Sequence, residues 1–461
     1  MDKYIVGLDI GTTKIACFVG ERAPEGKVRI LGFGKTESLG VERGIVRNIR
    51  STSASIRRAV DEAMEMAKLD INEVYVGIAG QHIKSRPQQG SIMIPDGHRQ
   101  IEQSDIDKLI NDQYQFMLPP GEVIIHVFPQ NYIVDGDQLD INIDPVGVAG
   151  KHLVANFHVV TGNQAHLENI RDAVKDAGLT IKGVVLEPIA SAYAVLDQDD
   201  KDAGVALVDI GGGTTDIAIF QEGIIRHTSV LPLAGNSISK DIREKCNIRP
   251  HQAENLKTKF GSCLPSNVNQ DDIISIPGPR CQVPREISVK QLAGIIKERV
   301  QVILEQVGYE IELSGFQRQL IAGIALTGGG AKLKHIKEFC ELTTGIESRI
   351  GTPDEHLDKN GSVTFEDLSH PMYATGIGLV LYGLQEAERH QEEELKSASA
   401  KVESEPEPII DSEPVAEDST EQSKDEQKKK KNTKKGAKNG DWMGKVNGFL
   451  NQLFDSESNI E

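Results

Sequence analysis

Along this chain the apolar residues come in two kinds of run. Some are short and nearly continuous and stop at glycine-rich turns, as buried strands do; others recur every three or four positions, as on one side of a helix. Strands are predicted over Tyr4–Asp9 and on to Val19, over Val28–Gly34 and Val74–Ala79, and on both sides of the glycines at 211–213, from Ala203 to Phe220. Residues Ser51–Leu69 predict a helix with Ile56, Val60, Ala63, Met64 and Ala67 on one side, and His166–Ala177 predicts another. Pro188 suits the first turn of a third. Further helices are predicted from Leu233, over 250–261, and over Ile287–Ile311, whose apolar stripe is Leu292, Ile295, Ile296, Val300, Ile303, Leu304 and Val307. Ile324–Thr327 predicts a strand whose glycine turn opens into a helix, and residues 262–285 read as loop. Strand, strand, helix, strand is the first half of an α/β domain. Residues 84–162 interrupt it with a small α+β insertion: strands at Gly90–Ile94, Ile124–Pro129, Gln130–Val134 and Asn156–Thr161, and a helix from Gln103 to Met117.

The pattern fails at about residue 385. Glu, Gln, Ser and Pro dominate to Glu426, which predicts a disordered acidic linker. Lysines follow at 428–431, 434, 435 and 438, and Asp441 can cap a short helix. At 100° per residue, Trp442, Met443, Val446, Phe449, Leu450, Leu453 and Phe454 fall within an arc of about 140°. The segment is too short to span a bilayer. A flexible tether, a lysine block and a Trp- and Phe-bearing apolar side describe an interfacial membrane anchor. The alternative is a helix that docks in a groove of its own or another protein.

A length of 461 residues allows two or more domains with real cores. The 38% hydrophobic content and mean hydropathy of -0.31 are low for such a chain because the polar tail dilutes both. A net charge of -18 argues against general nucleic-acid binding. Five cysteines, odd in number and without metal-ligand spacing, predict a reduced cytoplasmic protein without disulfides or structural zinc. A strand beginning at Tyr4 leaves no room for a signal peptide, and no apolar run reaches the ~20 residues of a spanning helix.

The chemistry lies in the turns. Asp209-Ile-Gly211-Gly212-Gly213-Thr214-Thr215-Asp216 joins two strands through glycines that let successive N–H groups face one anion, with two hydroxyl donors beside them. Asp209, at the end of the first strand, is placed to hold Mg²⁺ through its water shell. The design recurs at Asp9-Ile-Gly11-Thr12-Thr13-Lys14, with Lys14 in the place of Asp216. One such hairpin is weak evidence, since glycine turns commonly just close hairpins. Two facing phosphate hairpins, each with an Asp aimed at one metal, resemble the actin-like ATPase superfamily, which implies ATP and Mg²⁺ as cofactors.

Further stretches resemble one branch of it, the bacterial cell-division FtsA family: Pro129-Gln-Asn-Tyr132, Asp144-Pro145-Val-Gly147 and His158-Val-Val-Thr161-Gly162 in the insertion, then Ala234-Gly235-Asn236 with Asp241-Ile. Ser239 stands where a threonine is common. Read from the residues alone, Glu187 is a helix N-terminal charge and Glu254 with Lys257 a solvated i,i+3 pair. The resemblance implies that Glu187 orients the attacking water, that Glu254 and Lys257 contact ribose and adenine, and that Gly235 lies at the nucleotide. It also implies that Gly328, Gly329 and Gly330 form a side-chain-free wall against adenine, and that His370 to Leu384 is the second connecting helix. Arg299 matches an arginine that would meet the C-terminal peptide of the tubulin-like FtsZ; it reads equally well as a cation solvated on the outer face of its helix.

The fold expected is therefore α/β: two related actin-like domains around a nucleotide cleft. The segments are 1–83 and 163–202 for domain 1 with its connecting helix, and 84–162 for the insertion. Domain 2 takes 203–235 and 324–384, with 236–323 as a subdomain over the nucleotide and partner peptide; 385–440 is the linker and 441–456 the amphipathic helix. The implied function is polymerisation at the cytoplasmic face of the membrane at the division site and tethering of FtsZ, with slow ATP hydrolysis. Three readings share the hairpins. A sugar or acetate kinase would need an acceptor pocket with a base, a heat-shock chaperone ATPase a peptide-binding β domain, and a pilus-assembly actin homologue leaves the tail unexplained.

Overall fold

A computed structural model describes residues 4–403 apart from 24–25, 95–99, 141–142, 270, 278–283 and 362. The predicted helix at 441–456, the lysine block and the linker beyond 403 lie outside the described residues.

The two domains repeat one sheet. In domain 1, β1 (Ile5–Ile10), β2 (Lys14–Arg22) and β3 (Val28–Glu37) form an antiparallel meander. After helix α1 (Ile49–Ala67), β4 (Glu73–Ile78) adds in parallel beside β1, giving the order β8-β4-β1-β2-β3 with β8 (Thr180–Leu186) at the edge. Domain 2 repeats order and directions with β9 (Val205–Ile210), β10 (Thr215–Gln221), β11 (Ile224–Leu231), β12 (Ile324–Thr327) and β13 (Ser348–Ile350). Strands β1 and β9 are buried at every position because both lie inside their sheets with helices packed on them, which is why they read as unbroken apolar runs.

The insertion forms its own sheet, β5 (Lys84–Met93), β6 (Glu122–Val134) and β7 (His152–Asn163), with α2 (Gln103–Tyr114) packed on it through Ile106, Leu109 and Ile110. The two strands expected on either side of Pro129 are one. Phe157 pairs with Pro129 and Asn156 with Asn131, so Gln130 is the extra residue of a bulge that accommodates the proline. This sheet also reaches domain 2: Gln130 Nε2 donates to the Ile225 carbonyl at 2.8 Å and the Ser85 hydroxyl to the Thr228 carbonyl at 2.8 Å.

Past α3 (Gln164–Asp176) and β8, helix α4 (Glu187–Val195) crosses from domain 1 to domain 2. Domain 2 then inserts α5 (Gly235–Cys246), α6 (Pro250–Phe260) and α7 (Val289–Ser314) between β11 and β12. The predicted apolar stripe of α7 is buried throughout. The loop expected at 262–285 contains part of a small hairpin, Ile273–Ile276 with Arg285–Ser288, too short to leave a periodic signal. After β12 and the helix α8 (Ile336–Thr344), α9 (Ala374–Glu403) closes the fold by packing on α4 and β1. It continues well past residue 385, where a disordered linker was expected. Residues 385–403 lack proline and glycine and are rich in Glu, Gln, Ala and Lys, all strong helix formers, so a compositional change was mistaken for a structural one.

Helix α9 has no room for side chains where it meets α4 and β2. A Cβ on Gly378 would lie 1.7 Å from the Ala190 carbonyl oxygen, and one on Gly376 2.1 Å from the Phe18 ring. Gly378→Ala is expected to cost about 1–3 kcal/mol or more through overpacking. Urea denaturation of the nucleotide-free protein checks this; an unchanged midpoint would mean the crossing is loose.

Candidate functional site

The two glycine hairpins face one another across the domain boundary and touch. A Cβ on Gly212 would stand 2.4 Å from Thr13 Cγ2, and one on Gly213 2.4 Å from Thr12 Oγ1. These glycines are therefore demanded by the opposite hairpin as well as by their own turns. The Thr12 hydroxyl also accepts from the Gly44 N–H at 3.1 Å. The start of α5 docks on the second hairpin, Gly235 N–H to the Gly211 carbonyl at 3.1 Å and Asn236 N–H to the Gly212 carbonyl at 2.8 Å. Beside them opens a cleft of about 970 Å³. Gly11 to Lys14, Gly211 to Thr214, Gly235, Glu187, Asp9 and Asp209 all line it.

Thr215 does not. It is fully buried and its hydroxyl donates to the Leu233 carbonyl at 2.7 Å. Successive strand residues point to opposite faces, so Thr214 and Asp216 look into the cleft and Thr215 away from it. Its assignment as a phosphate donor is corrected: it fastens the hairpin to the chain entering α5.

The floor of the cleft is acidic. Asp9, Asp209 and Asp216 are buried and Glu187 half-buried, with Lys14 as the cation among them. Lys14 Nζ pairs with Asp9 Oδ2 at 2.6 Å. Burial alone would depress this ammonium; the attraction of Asp9, then Asp209 and Glu187, outweighs it and raises its pKa. Burial holds the carboxyl of Glu187 well above the usual range, and repulsion from Asp9, Asp216 and Asp209 adds to it. Asp216 is pushed up to about 8, chiefly by burial and then by Asp209. Asp209 is raised for the same first reason, opposed by a hydrogen bond from Ser191. One Asp216 oxygen accepts from the Thr214 hydroxyl at 3.0 Å; the other, Oδ1, is buried without a hydrogen-bond partner. An all-oxygen donor set with surplus negative charge and an orphaned carboxylate oxygen suits a hard divalent cation. Among the described residues no three His, Cys, Asp or Glu side chains close into a direct coordination shell.

On the opposite wall, Glu254 and Lys257 pair at 2.8 Å along α6, as their spacing predicts, and are tied to α5 as well. The Ser239 hydroxyl donates to Glu254 at 2.5 Å and Lys257 Nζ to the Gly235 carbonyl at 3.1 Å. The glycine turn at 328–330 divides in role. A Cβ on Gly328 would lie 2.2 Å from Asp209 Oδ1 and one on Gly330 2.3 Å from Ile210 Cγ2, so both are required by packing on the second hairpin. All three line the cleft, and of the three only Gly329 has room for a Cβ. The turn continues as a short 3-10 turn, Gly329–Lys332, before α8.

Arg299 does not line the cleft and is not a solvated lone cation. Its guanidinium forks onto Asp241, Nε to Oδ2 at 2.7 Å and Nη2 to Oδ1 at 3.1 Å. Sequence reasoning gave no role to Asp216, Ser191 or Thr375. Asp216 had a signal in the strand alternation; Ser191 and Thr375, 184 residues apart, join only in the fold.

Comparison with known proteins agrees along most of the chain. Family models match for cell division protein FtsA over residues 206–378, for the SHS2 domain inserted in FtsA over 80–161, and for Hsp70 protein over 162–229. Cell division protein FtsA of Pseudomonas aeruginosa is 38% identical over 383 residues, covering 83% of this chain and 90% of that protein. That of Escherichia coli K12 is 34% identical over 407 residues, covering 87% and 95%. Among solved structures, a PilM-PilN type IV pilus biogenesis complex superposes with a TM-score of 0.61 at 17% identity, covering 82% of this chain and 98% of that one, a likeness of fold alone.

Asp216 yields a pH prediction. Its carboxyl titrates at about 8 in the folded protein against an ordinary 3.8, so folding favours the protonated form. That contribution is complete below the ordinary value and is lost as pH rises through about 8. Asp216→Asn, which stays neutral, is expected to raise the melting temperature of the metal-free, nucleotide-free protein at pH 9 by roughly 2–4 °C per kcal/mol recovered, and to change it little at pH 5. Equal shifts at both values would contradict the assignment.

Proposed function

Because this chain belongs to the FtsA family of cell division proteins, we propose that it is an actin-like, ATP-binding protein that polymerises at the inner face of the cytoplasmic membrane and anchors FtsZ filaments there. The observation that carries the ATP reading is the contact of two glycine hairpins over a buried group of carboxylates that holds one lysine. In this reading the N–H groups of 11–13 and 211–213, with Thr12, Thr13 and Thr214, hold phosphate oxygens. Lys14 adds a point charge, and Asp9 and Asp209 hold Mg²⁺ through its waters. Bound Mg²⁺ supplies neutralisation of charge on the phosphates. Glu187 positions a water at the terminal phosphate. No dedicated phosphate acceptor or strong base stands beside it among the described residues, so hydrolysis is slow.

The FtsZ peptide is assigned to α7. Arg299, Val302, Gln306, Tyr309 and Leu313 fall within an arc of about 80° on this helix, and Val302, Tyr309 and Leu313 are exposed. Since Asp241 already neutralises Arg299, the peptide's acidic residues gain little from it until that fork opens, and apolar contact carries the affinity. A second reading, a pilus-assembly actin homologue, draws on the fold shared with the PilM-PilN structure; it gives the amphipathic segment no task. A sugar kinase would show itself by sugar-dependent ATP turnover.

The anchor is assigned to 441–456. Burying each large apolar side chain supplies ~1.5 kcal/mol or more, while ordering the helix costs about 1–2 kcal/mol per residue. The two nearly cancel, and lysines near anionic lipid add roughly 1 kcal/mol each. One tail therefore binds weakly and a polymer of tails tightly, through effective concentration.

Asp209→Ala is expected to abolish Mg²⁺-dependent ATP binding in calorimetry, whereas Glu187→Ala should bind ATP and hydrolyse it more slowly still. Normal affinity in the first, or unchanged turnover in the second, would remove that residue from the site. Deleting 441–461 should leave ATP binding intact and abolish flotation with anionic liposomes, and conditions that favour polymer should raise the lipid-bound fraction of the full chain. Flotation of the truncated protein would defeat the anchor.

A further inference from the structure

Asp209 is gripped by the two helices that join the domains. Ser191, on α4, donates its hydroxyl to Asp209 Oδ2 at 2.7 Å, and Thr375, in the first turn of α9, donates to the same oxygen at 3.2 Å. The two hydroxyls are 3.0 Å apart, and both residues are buried, Ser191 completely. The other oxygen, Oδ1, lies over the bare backbone of Gly328, where a Cβ would stand 2.2 Å away. Fastened at Oδ2 by two hydroxyls, with Oδ1 seated against Gly328, the carboxylate has one orientation. A carboxylate in water needs no such arrangement, and one merely paired with Lys14 would not draw hydroxyls from two separate helices.

We propose that Ser191 and Thr375 are positioning residues that fix Asp209 so that it can order the water shell of a divalent cation. They touch neither nucleotide nor metal in this scheme and act through Asp209. Their service is to satisfy Oδ2 and to stop the carboxylate from rotating, which leaves Oδ1 as the acceptor for a metal-bound water. Because each hydroxyl comes from a different connecting helix, the grip is complete only when α4 and α9 cross as they do here. The proposal rests on the reading of the cleft as a Mg²⁺–ATP site.

The test is the ratio of ATP affinity at saturating Mg²⁺ to ATP affinity in EDTA, measured by calorimetry on the full chain. Wild type, Ser191→Ala, Thr375→Val and Thr375→Ser are compared, with Asp209→Ala as the floor and circular dichroism to verify folding. In Ser191→Ala and Thr375→Val the ratio should fall about tenfold or more, the scale on which outer partners of a metal ligand act. Thr375→Ser keeps the hydroxyl and should stay within about twofold of wild type. The extra melting-temperature rise that Mg²⁺ adds to ATP should shrink in parallel. A large wild-type ratio left unchanged by both variants would overturn the proposal alone. Loss in Thr375→Ser equal to that in Thr375→Val would overturn it too, assigning the effect to packing. A wild-type ratio near one would instead refute the Mg²⁺ reading of the cleft, and this proposal with it.

Discussion

Asp9, Glu187, Asp209 and Asp216 are gathered largely out of solvent around one ammonium, and the surrounding structure can be understood as the management of that imbalance. Burial and mutual repulsion raise Glu187, Asp209 and Asp216 together, so four ionised acids do not share this space unaided. The protein meets the cost in three ways. Lys14 is held against Asp9, the hydroxyls of Ser191 and Thr375 are turned onto Asp209, and Asp216 and Glu187 hold their protons to unusually high pH. Each is a partial substitute for positive charge brought from outside. A site built this way is most strained when all four acids are ionised.

The same constraint explains why the two halves of the fold are alike in outline and unlike in detail. Both sheets run in one order, and both turns carry Asp-Ile-Gly and span four residues closed by matching pairs, Ile10 with Ile15 and Ile210 with Thr215. In that register Lys14 matches Thr214 and Asp216 matches Ala16, which corrects the expectation that Lys14 stands in the place of Asp216. The first hairpin therefore adds a cation, Lys14, where the second has a hydroxyl, and the second adds a carboxylate, Asp216, where the first has a methyl group. The glycines break the symmetry too: Gly212 and Gly213 stand where Thr12 and Thr13 stand in the first copy, and the close approach of the hairpins requires one partner to be bare.

Much of this was legible in the chain. The hairpins, the α/β order, the buried stripe of α7 and the insertion follow from local patterns, since strand and helix periodicities are written in consecutive residues. The Glu254–Lys257 pair was legible for the same reason. What could not be read was set by partners far away in sequence. Thr215 looked identical to Thr214 until the strand's alternation was fixed in space. Gly328 and Gly330 line the cleft, yet what keeps them bare is Asp209 and Ile210 pressing on them, which no local pattern shows. Arg299 was expected to be free because Asp241, 58 positions earlier, gives no sign that its carboxylate turns toward α7. At the end of α9, composition misled, because residues poor in apolar side chains can still continue a helix whose first turns are anchored in the core.

The geometry of the connecting helices bears on how the cleft could open. Gly378 meets the backbone of Ala190 with no room for a methyl group, so the two helices cannot come closer there, and sliding would drive the next side chains into each other. Rotation about this contact is the motion left to them. Ser191 follows Ala190 directly, and Thr375 lies one turn before Gly378, which sets their hydroxyls beside the pivot. Groups near a pivot move little while the domains swing through larger arcs, and a hydrogen bond weakens steeply within a few tenths of an ångström or tens of degrees. Small rotations would therefore preserve the grip on Asp209, and larger ones would release Oδ2 from one helix or the other. The carboxylate that would order the metal's waters is thus fixed by the same crossing that limits domain motion, so that charge in the cleft and the angle between the domains are properties of one contact.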